Sequence, residues 1–87
     1  MQAGKEERAN SSFSFEAGEI VTINATYSPL DANVDFGLID ENDTFYHLKG
    51  ENGSFSKSIK ISVRGNYTFA VKNNSDYVIE ASGYENY

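Results

Sequence analysis

Apolar and polar side chains alternate along most of this chain. Val21, Ile23, Ala25 and Tyr27 fall on one side, and Thr22, Asn24 and Thr26 fall on the other. A period of two is the mark of a half-buried strand, because successive side chains of extended backbone point to opposite faces. Phe13 and Phe15 alternate with Ser12, Ser14 and Glu16, then Ala17-Gly18 turns the chain. Val34, Phe36 and Leu38 form a further inward set, opposed by Asp35, Gly37 and Ile39. Thr44 to Leu48 follows as a return strand after a hairpin tip at Asp40 to Asp43. Phe55, Ile59, Ile61 and Val63 share a parity with Lys57, which predicts a bulge near Lys57 or a strand starting at Ser58. Tyr67, Phe69 and Val71 make the next strand. The last runs from Tyr77 to about Tyr84, with Ile79 and Ala81 inward. No comparable stretch has helical periodicity.

Turn signals separate these runs. Ser28-Pro29-Leu30-Asp31 has a proline that fixes φ and removes a ladder donor. Gly50-Glu51-Asn52-Gly53 contains Asn-Gly, the strongest short hairpin signal. Arg64-Gly65-Asn66 and Asn73-Asn74-Ser75 bracket the strand GNYTFAVKN. Seven to eight short strands at turn intervals of roughly eight to twelve residues predict an all-β protein, a jelly-roll-like sandwich of two antiparallel sheets. Residues 12 to 87 are expected to be its single domain, and residues 1 to 11 a disordered polar leader.

Composition limits this picture more than it adds to it. A chain of 87 residues buries only a little over ~60% of the surface its unfolded form exposes, so the core is small. Leucine occurs only at Leu30, Leu38 and Leu48, so aromatic and β-branched residues must fill it, as suits a pleated surface. A net charge of -6 argues against nucleic acid, whose phosphates require clustered Lys and Arg. The charge is uneven: Glu16 to Asp43 holds seven acids and no base, and Lys49 to Lys72 holds five bases against Glu51 alone. Strands that neighbour one another would balance these two halves across a sheet. There is no cysteine, which excludes disulfides and thiol chemistry. No run approaches the ~18 apolar residues of a membrane helix, so membrane insertion by this segment is not expected. A monomer is.

The Glu16-Ala17-Gly18-Glu19 turn, the stretch VDFGLIDEND and the closing strand GNYTFAVKN together resemble the bacterial pre-peptidase C-terminal domain. Leu38, Ile39 and Asp40 stand for its middle element, and Gly65, Tyr67 and Val71 for its last strand. The resemblance spans about residues 13 to 84. Asp43 departs from it, standing where that family usually has glycine in the hairpin tip; Asn42 or Asp43 must then take a left-handed conformation. Other jelly-roll domains, including the Golgi-dynamics type, share the Gly-x-Tyr-x-Phe strand. The resemblance implies a non-catalytic accessory domain of a secreted or cell-envelope bacterial protein, partnered by protein or polysaccharide. Some relatives are associated with calcium or with substrate polymers, but no motif here carries those residues over.

Direct candidates for chemistry are few. His47 is the only histidine, which leaves one general base and excludes two-histidine metal sites. Ser56, Ser58 and Ser62 are its conceivable nucleophiles, without the Gly-x-Ser-x-Gly elbow that exposes a serine. Asp40, Asn42 and Asp43, with Asp31 or Asp35 nearby, offer oxygens of the kind calcium takes. Their spacing is not that of an EF-hand, and a solvated hairpin tip is the more ordinary account of them. Tyr46, Tyr77, Tyr84 and Tyr87 could form an exposed aromatic row for stacking on sugar rings. Asn-x-Ser/Thr recurs at Asn10, Asn24, Asn42, Asn52, Asn66 and Asn73, as an Asn- and Ser-rich composition produces by itself. The functional expectation is therefore an accessory or interaction module with no cofactor and no catalytic residue. The alternative is a carbohydrate- or calcium-binding module.

Overall fold

The computed structural model describes residues 1–86, without the side chains of 83–86. It is all-β, with seven strands: β1 (Glu6–Phe15), β2 (Ile20–Ser28), β3 (Val34–Ile39), β4 (Phe45–Lys49), β5 (Ser54–Lys60), β6 (Gly65–Asn73) and β7 (Glu80–Asn86). They form a two-sheet sandwich. One sheet has the order β1-β6-β3-β4, the other β5-β2-β7, and every pairing is antiparallel. Only the β3–β4 hairpin stays within one sheet, so successive strands otherwise alternate between layers, and their inward sets meet in one core.

That core is the one the alternation predicts. Val21, Ile23, Ala25 and Tyr27 are buried from β2, with Val34, Phe36 and Leu38 from β3 and Phe15 and Tyr67 from β1 and β6. Phe36 sits between Tyr27 and Phe55, with ring centroids at 5.9 and 5.0 Å, the tilted spacing that aromatic pairs favour. Asn73 is the one buried polar side chain among the described residues. Its Nδ2 donates to the carbonyls of Tyr77, Gln2 and Met1 at 2.8, 3.1 and 3.3 Å, and its Oδ1 accepts from Ser75 N–H at 2.9 Å. A fully bonded buried amide fixes this corner, whereas an unbonded one would cost about 1–3 kcal/mol.

Five expectations are corrected. Residues 6 to 11 of the expected leader belong to β1, which begins at Glu6 and pairs Glu6 to Arg8 with Lys72 to Ala70. Polar side chains are no obstacle there, because backbone hydrogen bonds define an edge strand and its side chains can stay in water. The irregularity expected near Lys57 lies instead in β1, between Arg8 and Ser12. Around Lys57 the β2–β5 register is unbroken. Lys57 keeps the inward parity but lies on an edge strand, where its Nζ sits over the Phe55 ring, 5.6 Å from the centroid, and reaches the Lys49 carbonyl at 2.9 Å, the behaviour of a snorkelling amphipathic side chain. Val63 lies beyond β5 and is exposed, and the last strand starts at Glu80 rather than Tyr77. Ala81 is in register with inward Tyr27 but is exposed on the edge strand β7.

The turns follow their signals. Asn52 and Gly53 both take positive φ, 51° and 82°, the primed geometry that Asn-Gly favours, and Glu51 and Ser54 close it with reciprocal backbone bonds. Asp43 has φ 63°, so it does adopt the left-handed conformation that its place in the tip requires.

Candidate functional site

Asp40 organises the hairpin tip. Its Oδ1 accepts the N–H groups of Asn42 and Thr44 at 2.8 and 2.9 Å, and its Oδ2 accepts the Tyr46 hydroxyl at 2.9 Å. These donors hold its carboxyl below the usual carboxylate range, the Thr44 N–H most and the Tyr46 hydroxyl next, and donating to Asp40 raises the Tyr46 phenol. Asp43 turns away to Arg8 at 3.1 Å. Of the calcium candidates, Asp40 thus serves the turn and Asp43 an ion pair, and Asn42 is bonded to Asp40 through its backbone. No group of three or more acidic, histidine or cysteine side chains among the described residues is placed to hold a metal ion.

Beside the tip, Glu41 Oε1 accepts the Asn66 N–H at 2.8 Å, joining the β3–β4 hairpin to the start of β6. Tyr46 and Tyr67 lie 6.4 Å apart there, and the Tyr67 hydroxyl donates to the Val63 carbonyl. Leu38, Ile59, Ile61 and Val63 complete a narrow apolar crevice of about 50 Å³, too small to enclose a ligand.

His47 stands on β4, half exposed, with Nδ1 3.4 Å from Asp35 Oδ2; Asn74 Nδ2 donates to the same oxygen at 2.7 Å. The serines considered with it are elsewhere. Ser58 Oγ bonds Thr22 at 2.9 Å and Ser56 Oγ donates to Asn24 at 2.7 Å, both on the outer face of the other sheet. Ser62 follows β5 and is exposed. His47 and these two β5 serines therefore occupy opposite outer faces of the sandwich.

The aromatic row does not assemble from its described members. Tyr46 pairs with Leu38 near the hairpin tip, whereas Tyr77 reaches Asp31 at 3.3 Å before β3 begins. The two thus lie toward opposite ends of β3. The side chain of Tyr84 and all of Tyr87 lie outside the described residues.

Sequence reading missed the most regular polar surface. On the outer face of β5-β2-β7, Thr22 pairs with Ser58, Asn24 with Ser56, and Thr26 with Ser54 and Ser82. The Thr22, Asn24 and Ser56 bonds above and a 3.5 Å Thr26–Ser82 contact tie the hydroxyls across strands. The signal was present as two separate Ser/Thr/Asn alternations, but only the strand order joins them. No protein-family model matches the chain, and no curated protein matches it.

Proposed function

We propose that this chain is a non-catalytic accessory domain of a secreted or cell-envelope protein, acting by binding, as its resemblance to the pre-peptidase C-terminal domain implies. The observation that carries the reading is how the chemically capable side chains are spent. His47 and the β5 serines Ser56 and Ser58 lie on opposite outer faces, and the acidic tip is engaged in its own turn and in an ion pair. A scaffold whose hairpin-tip acids are engaged in its own structure has its faces left for contact.

The reading is tested by fractionating the source cells with an antibody to this domain and by incubating labelled domain with isolated envelopes. Recovery outside the cytoplasm and saturable envelope binding are expected. Cytoplasmic recovery would overturn the exported part. A hydrolytic activity lost in His47→Ala would overturn the non-catalytic part. Millimolar calcium is expected to leave the melting temperature unchanged, since a ligand held only by the native state must raise it.

A further inference from the structure

We propose that the outer face of the β5-β2-β7 sheet is a binding surface for a neutral polysaccharide. This deepens the binding-module reading and rests on it. Between Lys60 at one end and Glu80 at the other, the described outward residues are Thr22, Asn24, Thr26 and Ser28 with Ser54, Ser56, Ser58 and Ser82. All are uncharged and all carry a hydroxyl or an amide. In a chain with 20 ionisable Asp, Glu, Lys and Arg side chains, solubility alone gives no reason to clear one face of charge, since mixed charges serve it better.

The chemistry of the face selects the occupant. Each hydroxyl has one donor and two acceptor sites, and an amide offers both kinds. A residue bonded to its cross-strand neighbour therefore keeps capacity for a ligand, and the neighbour holds it in place. Sugar hydroxyls present the same mixed donor and acceptor pattern without charge. A polyanion would meet no counter-charge among these residues and a net charge of -6; the described outward side chains offer hydroxyls and amides rather than hydrocarbon. Strand geometry repeats these groups about every 4.8 Å across the sheet and ~6.8 Å along it, which suits a repeating polymer. An open depression of about 500 Å³ lies over Asn24, Thr26, Ser54, Ser56 and Ser82, with Ala25 and Phe55 also in its lining.

The test is retention of the purified chain on cellulose and in gels containing xyloglucan or starch, with polygalacturonate as the charged control. Retention by at least one neutral polymer and none by polygalacturonate is expected. Thr26→Glu, Thr26→Lys and Ser56→Glu should each weaken it at least tenfold, with unchanged melting temperatures, while Ser56→Thr and Tyr46→Ala retain it. Binding that survives all three charged variants would overturn the face and leave the module reading standing. Loss with one sign of charge and gain with the other would overturn the neutral class. Failure on every neutral polymer would overturn the polysaccharide, as would thermal hysteresis in its place, which would assign the face to ice. Envelope binding, measured independently, decides the module reading.

Discussion

The two outer faces of this sandwich are built on opposite plans. On the four-stranded sheet the rows run Arg8, Ala70, Gly37, His47 and Ser12, Thr68, Ile39, Phe45. Ala70 and Ile39 are buried there although neither belongs to the central core, and Arg8 reaches from β1 to Glu6 and to Asp43 at the hairpin tip. On the three-stranded sheet none of the described outward residues is buried: hydroxyls and amides bond one another and stay at least partly open to water. The difference teaches that one outer face contributes to holding the fold, while the other can be altered at little cost to it.

Substitutions can break that contrast. The largest effect should come from Gly37→Val. A Cβ at Gly37 would sit 1.9 Å from the Tyr46 carbonyl oxygen, so β3 and β4 must part, with an expected loss of about 3 kcal/mol or more. Urea denaturation measures it, and a stable Gly37→Val protein would refute the close approach. Next, Ile39→Ala should cost at least about 2 kcal/mol, while Thr22→Ala on the other face stays within about 0.5 kcal/mol. Equal losses for the two would erase the contrast.

A smaller effect sits at the tip. Because the folded carboxyl of Asp40 is shifted below its ordinary value near 3.8, its contribution is present above that value and fades as pH falls through the lowered one. The melting-temperature gap between the parent and Asp40→Ala should therefore narrow on acidification. A gap constant down to pH ~2 would contradict the hydrogen-bonded carboxylate. The smallest change in stability is expected for Lys57→Val, whose effect should be on association. An inward charge on an edge strand discourages pairing with another chain, so sedimentation should show larger species in the variant, and none if the lysine has no such role.

How much of this was legible depended on how local each feature was. The Val21, Ile23, Ala25, Tyr27 alternation and the Asn52-Gly53 turn are written in adjacent residues, and both formed as read. Lys57 misled because parity says where a side chain starts, not where its four-carbon stem ends. The first half of β1 was hidden because an edge strand held by backbone bonds needs no apolar alternation. Ile39 was assigned outward correctly by parity, but its burial is visible only in the assembled sheet, where β4 and β6 flank it. The hydroxyl face was illegible for the same reason, since Thr26, Ser54 and Ser82 meet only once β2 is flanked by β5 and β7. The Asp40 turn lay in between: its acids were conspicuous, but their donors were not.

The neighbour of β1 in its sheet is β6, some fifty residues further along the chain. During synthesis the first strand must therefore wait, unpaired, until most of the polypeptide has emerged, because closing so long a loop precedes any reward from the contacts it makes. Its opening Glu6, Glu7 and Arg8 keep that waiting segment hydrated, so the same polar residues that disguise it as a strand also guard it against premature partners.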